Sequence, residues 1–142
     1  MSERADYPGV LRRLAAMTYE ALLLSGVVAI TLIFPHLLIG AFAHQIAAPV
    51  LLWAHLFLIL LAYFVGFWSY GGQTLSMKTW RIRLVTKTGE AIRPAQAMQR
   101  FLWCWPSFAL GGIGLIWAFF DRDRQFLHDR LAGTRLVAAH QV

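Results

Sequence analysis

A single carboxylate stands within the longest apolar part of the sequence. From Leu14 to Met77, Glu20 is the only residue of the Asp, Glu, Lys and Arg types. An acidic side chain near the middle of a membrane helix costs roughly 2.5–3.5 kcal/mol, and the surrounding apolar residues return roughly 3–6 kcal/mol. The helix therefore inserts, but Glu20 must face a polar partner or water. Intramembrane carboxylates bind protons or cations in transporters, so Glu20 is the candidate proton- or cation-binding residue. The alternative is that it only locks helices together.

Three further residues could contact Glu20 or one another: Arg13, Tyr63 and Asp129. Arg13 precedes Glu20 by two helical turns, which places both on one helix face about 10 Å apart. Glu20 lies roughly 9 Å inside the first span, and the matching depth on an antiparallel second span falls near Tyr63. Tyr63 could therefore donate a hydrogen bond to Glu20. Arg13 either snorkels to the membrane interface or meets Asp129, and the second arrangement requires the tail on the same side as the N-terminus.

The sequence contains no arrangement that indicates an enzyme. No nucleophile–base pattern, phosphate-binding glycine motif or pair of catalytic carboxylates occurs, so we expect neither catalysis nor a cofactor. Cys104 is the only cysteine, which excludes an intramolecular disulfide and a cysteine-based metal centre. No pair of histidines has the spacing of metal ligands, and we expect no bound metal. The histidines are His36, His44, His55, His128 and His140.

The elements that position these residues are membrane helices within one domain covering residues 1–142. The chain is 58% hydrophobic and 14% charged, whereas soluble domains carry about 25% charged residues. Three apolar stretches, 14–34, 50–70 and 101–120, are each close to the roughly 20 residues that cross a bilayer. The basic residues flank these stretches instead of covering a folded surface, which argues against nucleic-acid binding.

The positive-inside rule orients the first two stretches as a helical hairpin. Segment 35–49 has no lysine or arginine, whereas residues 1–13 have three and residues 78–100 have six. The rule places the N-terminus and the 71–100 loop in the cytoplasm, with 35–49 outside. The cytoplasmic basic residues would also attract anionic lipid.

The third stretch has two alternative topologies. Pro106 and the run Gly111-Gly112-Ile113-Gly114 interrupt a regular helix. A single crossing would place the arginine-rich tail outside, against the charge rule. A re-entrant pair of half-helices would return the tail to the cytoplasm, provided that protein or water covers the broken backbone. We favour the re-entrant pair.

The basic loop has its own structural pattern. Apolar and polar residues alternate over 80–85, which predicts a strand, and residues 87–89 form the following turn. A helix is expected to begin at Pro94. Residues 134–137 would pair with 81–85 if both lie on one side of the membrane. The expected fold is an all-α membrane protein: a helical hairpin and a third, broken or re-entrant, hydrophobic helix, with a small cytoplasmic β-hairpin.

Three segments resemble motifs of the RDD family of bacterial membrane proteins, in the same order along the chain. They are PGVLRRLAAM at residues 8–17, GGQTLSMK followed by WRIRLV at 71–85, and DRDRQFLHDRLAGT at 121–134. The resemblance implies that Arg13 and Asp129 are the family's arginine and second aspartate, with Glu20 replacing the first aspartate. Ser76 stands where the family motif usually has glycine. The resemblance also implies a multi-pass protein of the bacterial cytoplasmic (inner) membrane, and some relatives have been linked to monovalent-cation/proton exchange.

Two classes of function follow from these residues. In the transport hypothesis, Glu20 binds a proton or small cation while Arg13 and Asp129 form a gate or counter-ion pair. Because so few spans cannot enclose a pathway, this hypothesis requires a homo-oligomer. In the scaffold hypothesis, the three charges stabilise the fold, and the basic face docks a partner or anionic lipid.

Overall fold

The first apolar stretch forms one long helix that contains a short segment of different geometry. The structure, a computed structural model, describes residues 7–139. This helix is 34 residues long and comprises α1 (Val10–Val28), a π-helical turn (Ala29–Ile33) and α2 (Phe34–Ala43). It extends beyond the predicted span 14–34, and the prediction that all of 35–49 connects two helices is wrong up to Ala43. The connection is shortened to residues 44–48.

Pro35 accounts for the π-helical turn. Proline has no N–H, and its ring collides with the carbonyl group four residues earlier, which here belongs to Thr31. The turn Ala29–Ile33 lies immediately before this point, and α2 carries the proline in its first turn. Local π adjustments of this kind let membrane helices contain proline. The helix therefore continues where a sequence rule predicts its end.

The second apolar stretch forms α3 (Pro49–Ser69), which confirms the predicted span 50–70. Both long helices have the length and composition of membrane-spanning segments. Their surfaces expose many large apolar side chains, among them Leu22, Ile30 and Leu58. A water-soluble protein rarely exposes so extended an apolar surface, whereas a helix in lipid satisfies its backbone groups internally. The protein is therefore a membrane protein.

The third stretch forms two half-helices, which confirms the re-entrant prediction. They are α5 (Pro94–Ala109), which begins at the predicted proline, and α6 (Ile113–Phe120). Their axes differ by 96°. The break falls at Gly111 and Gly112, with φ of 70° and 78°, and not at Pro106, which lies inside α5. These left-handed conformations are readily available only to glycine.

The segments flanking the half-helices form a small cap. It contains α4 (Leu75–Thr79), β1 (Ile82–Thr86), α7 (Leu127–Leu131) and β2 (Thr134–Ala138). The strands are antiparallel, with Leu84 opposite Leu136, which confirms the predicted pairing of 81–85 with 134–137. Helix α4 lies in the predicted basic loop and was not expected. Because β1 pairs with β2, the 71–100 segment and the tail lie on one side of the membrane.

The core joins the cap to the membrane helices. Trp68 at the end of α3 and Phe101 of α5 are buried with apolar side chains from the two strands and with Phe126, which precedes α7. Phe57 and Phe101 make an edge-to-face contact with ring centroids 5.4 Å apart. This packing fixes the rotation of each helix and thereby determines which polar side chains meet at the boundary between the helices and the cap.

Candidate functional site

Glu20 lies on α1 with both carboxylate oxygens hydrogen-bonded. The hydroxyl of Tyr63, on α3, donates to Oε1 over 2.5 Å, the contact expected from matching depth on antiparallel helices. The hydroxyl of Thr74 donates to Oε2. Glu20 is buried, with 7% of its surface exposed. One side chain of α1 is thus bonded to α3 and to the residue that precedes α4.

Thr74 is a residue that sequence reasoning missed. It is the N-cap of α4, where its Oγ1 accepts from the N–H of Met77 at 3.3 Å, so the same hydroxyl serves the helix end and Glu20. The hydroxyl of Ser76 donates to the carbonyl oxygen of Ala16, which fastens α4 to α1 a second time. A threonine before a short run of helix formers is the sequence signal for such a cap.

Arg13 does not form an ion pair with Asp129, which was one of its two predicted arrangements. Its Nε donates to the carbonyl oxygen of Pro8 at 2.8 Å, and its Nη1 donates to that of Arg124 at 2.6 Å. The guanidinium also lies over the ring of Phe126, 5.6 Å from the centroid. Within residues 7–139, none of the ion pairs includes Arg13, although the side chain is only 2% exposed. Arg13 therefore contacts neutral groups, and its bond to Arg124 and its contact with Phe126 hold the start of α1 against the segment between α6 and α7.

Asp129 pairs with Arg100 instead. The Nη2 and Nε of Arg100 lie 2.6 Å and 2.7 Å from Oδ1 of Asp129, and the guanidinium lies 4.2 Å from the ring centroid of Trp68. Oδ2 of Asp129 is buried without a hydrogen-bond partner. Arg100 belongs by sequence to the basic segment 78–100, and it is buried because α5 begins within that segment. Its place beside the first apolar residue of the third stretch is a weak signal of this role.

His128 occupies an apolar position beside this ion pair. Its ring stacks on those of Phe108 and Phe126, with centroid distances of 6.2 Å and 5.5 Å. Burial lowers the pKa of His128 to about 4, because the charged imidazole would lose its hydration, and the nearby Asp129 carboxylate opposes this shift only in part. The ring is therefore neutral near pH 7. Its Nδ1 is buried without a hydrogen-bond partner.

These polar groups border a cavity of about 320 Å³ between α1, α3 and α5, beneath the cap. Glu20, Arg13, Arg100 and His128 all line it. Most of the remaining wall is apolar, and it is formed by side chains of all three helices. The cavity exists because α1 packs mainly against α4 and approaches α3 through the π-helical turn, which leaves space between the helices.

The other candidate ligands do not assemble into a metal centre in the described part of the chain. The rings of His36 and His55 lie 5.3 Å apart between the two long helices. No group of three or more His, Cys, Asp or Glu side chains with metal-binding geometry occurs among residues 7–139. His140 lies outside the described residues.

Comparison with known protein families shows the family of this chain. The model of the RDD family matches residues 7–133, nearly the whole chain. The chain belongs to the RDD family. It is also similar to an uncharacterized protein of Rickettsia prowazekii (strain Madrid E), with 33% identity over 106 residues. That match covers 73% of this chain and 58% of the relative, so the chain spans less than two thirds of the relative's length. No solved structure matches this RDD chain.

Proposed function

We propose that this RDD protein exchanges protons for a small monovalent cation across the bacterial cytoplasmic membrane, with Glu20 as the group that gains and loses the proton. The observation that carries the proposal is the chemistry of the two partners of Glu20. Both Tyr63 and Thr74 contact it through hydroxyl groups, and a hydroxyl can donate or accept a hydrogen bond.

Hydroxyl partners allow both protonation states of a carboxyl group to be satisfied. When Glu20 is ionised, both hydroxyls donate to it, as in the structure. When it is protonated, its O–H can donate to one hydroxyl while its other oxygen still accepts. Asp129 differs, because its partner Arg100 only donates and would lose its counter-ion on protonation. The contacts of Glu20 therefore accommodate both protonation states of its carboxyl group, whereas those of Asp129 do not.

The same cluster offers oxygen atoms to a cation. The carboxylate of Glu20, which lines the cavity, lies within hydrogen-bonding distance of the hydroxyls of Tyr63 and Thr74. Oxygen ligands suit hard, non-transition cations. A small monovalent cation would take the place of the proton on Glu20, so that binding of one excludes the other.

The proposal also concerns orientation and assembly. The cap carries exposed Lys78, Arg81, Lys87 and Arg93, and the positive-inside rule places these residues in the cytoplasm. The N-terminus, which precedes α1 at the same end of the helix, is then cytoplasmic too. Because two long helices and one bent pair are too few to enclose a pathway, the transporting unit is a homo-oligomer. Catalysis and a cofactor have no part in this function.

Flux measurements test the role of Glu20. Purified protein is reconstituted into liposomes with a pH-sensitive dye inside, and proton movement is recorded after pulses of Na⁺, K⁺ or Li⁺. We expect cation-dependent flux from the wild type and from Glu90→Gln, a matched change at an exposed glutamate. Glu20→Gln should abolish the flux, because glutamine has no carboxyl group to titrate. Equal flux from Glu20→Gln and the wild type, at equal amounts of folded protein, would end the proposal.

A second function, that of a membrane scaffold or assembly partner, is favoured by a different observation. The bonds of Glu20 and Ser76 fasten α4, and with it the cap, to α1, which is what a structural role requires. In this case wild-type liposomes show no cation-dependent flux, and Glu20→Gln lowers the melting temperature. A partner that purifies in stoichiometric amount, or binding of the exposed basic face to anionic vesicles, would support the scaffold.

A further inference from the structure

The cavity beneath the cap has apolar walls and a polar end. Its volume of about 320 Å³ lies at the lower end of the roughly 300–1,000 Å³ range of small-molecule sites. Leu24 of α1, Leu60 of α3 and Trp105 of α5 contribute to the walls. Arg13 and Arg100 line the end next to the cap. A site of this form matches a ligand with an apolar chain and an anionic group.

Arg13 is a buried charge that forms no ion pair among residues 7–139, because the nearby carboxylate of Asp129 bonds to Arg100 instead. Buried charges are normally paired, because removing an ion from water is unfavourable. Arg13 is 2% exposed, yet both of its hydrogen bonds go to carbonyl oxygens of Pro8 and Arg124. A guanidinium has five N–H donors, and these two bonds occupy Nε and one hydrogen of Nη1. Donors therefore remain for an anion, which a guanidinium can bind in bidentate fashion.

Two further buried polar atoms on the cavity wall have no partner within the described chain. They are Nε1 of Trp68, which can only donate, and Nδ1 of His128. Both side chains are less than 4% exposed. Buried donors and acceptors are rarely left unsatisfied, so these atoms are a second indication that a polar ligand group occupies the end of the cavity.

The length of the cavity indicates the apolar part of the ligand. Arg13 and Leu24 both line it, and at 1.5 Å per residue they lie roughly 16 Å apart along α1. This distance is about half of the ~30 Å hydrocarbon core, which is the depth of one lipid leaflet. We propose that the cavity binds one anionic amphiphile, with its acyl chain along the apolar walls and its carboxylate or phosphate group on Arg13. Glu20 lines the same cavity, but its two oxygens are already bonded to Tyr63 and Thr74, so the anionic group of the ligand is assigned to Arg13.

Quenching of tryptophan fluorescence tests the proposal, because Trp68 and Trp105 line the cavity. The protein is reconstituted into phosphatidylcholine vesicles containing a few mole per cent of phosphatidylglycerol with brominated acyl chains. Brominated phosphatidylcholine at the same content measures the quenching by ordinary surrounding lipid. We expect a saturable excess of quenching by the anionic lipid. Arg13→Gln should weaken this excess binding about tenfold or more, since it removes a charge-assisted contact.

A second variant protects the test against misfolding of Arg13→Gln. Ala21→Phe fills the cavity wall and leaves the arginines unchanged, so it should also remove the excess quenching. Ala54→Phe is the matched control, because Ala54 is exposed on α3 and does not line the cavity. Brominated oleate in vesicles without phosphatidylglycerol separates a free fatty acid from a phospholipid, and saturable quenching by either one supports the site. Equal quenching by anionic and zwitterionic lipids, or wild-type quenching in folded Ala21→Phe, would overturn it.

Discussion

Replacement of Asp129 by asparagine should destabilise the protein by about 3 kcal/mol. Asp129 is fully buried, and its Oδ1 accepts from Nη2 and Nε of Arg100 at 2.6 Å and 2.7 Å. Removing one charge of a buried pair costs roughly 3–5 kcal/mol, because the other charge remains buried without a counter-ion. The ring of Trp68, 4.2 Å below the guanidinium, still attracts Arg100 by roughly 0.5–2 kcal/mol. We therefore expect the lower end of the range.

The free energy of unfolding can be measured by titrating the protein from mild detergent into SDS while helicity is recorded. Asp123→Asn is the matched control, because it makes the same chemical change at an exposed aspartate and should alter stability by less than about 0.5 kcal/mol. A double-mutant cycle with Arg100→Met isolates the pair. We expect a coupling energy of about 2 kcal/mol, within the range for residues that share one network. A coupling energy near zero, or an Asp129→Asn variant as stable as Asp123→Asn, would refute this reasoning.

Three further predictions concern the cap. Gly72→Ala should lower stability, because Gly72 has φ of +67° and an added Cβ would lie 2.5 Å from a carbonyl oxygen of β1. Gly71→Ala is the control, because a Cβ there meets no atom within 4 Å. Thermal melts should show a lower melting temperature for Gly72→Ala than for Gly71→Ala. Since burial lowers the pKa of His128 from 6.5 to about 4, the stability present above pH 6.5 should decline as pH falls toward 4. His128→Phe should show a smaller decline between melts at pH 7 and pH 5, and an identical decline would contradict the assignment. Thr88→Cys and Arg122→Cys each introduce a single cysteine into a background without the native one. Both cysteines should react with an impermeant thiol reagent from the same side of the membrane. Labelling from opposite sides would contradict the pairing of β1 with β2.

Much of the fold was predictable from one-dimensional patterns. Hydropathy located the span that became α3, and glycines 111 and 112 marked the break between the half-helices. The alternation of residues at 80–85 predicted a strand, and that strand does pair with the segment 134–137 proposed as its partner. The contact between Glu20 and Tyr63 followed from helix rise and antiparallel depth alone. The position of each helix, strand and break depends on residues close in sequence, and the matching depth of Glu20 and Tyr63 depends only on the rise of the two helices. Both can be read from the sequence.

Other contacts could not be predicted, because they depend on how elements rotate and pack. The helix around Pro35 continues through a π-helical turn, which requires a local adjustment of the backbone that no propensity rule specifies. Asp129 bonds to Arg100 and not to Arg13, because α5 and α7 pack together while Arg13 reaches main-chain carbonyl oxygens.

The sequence by itself determined that the chain spans a membrane, that the basic segments 1–13 and 78–100 lie on one side of it, and that a lone carboxylate on the first helix needs a polar partner or water. Each of these conclusions rests on the free energy of placing apolar or charged groups in lipid, which depends on residue type and order. The tertiary structure alone decided the partners of Arg13 and Asp129, the second partner of Glu20 and the cavity between the helices. Hydrogen bonds require atoms within about 3 Å at fixed angles, and only the packing of α1, α3 and α5 against the cap sets those positions.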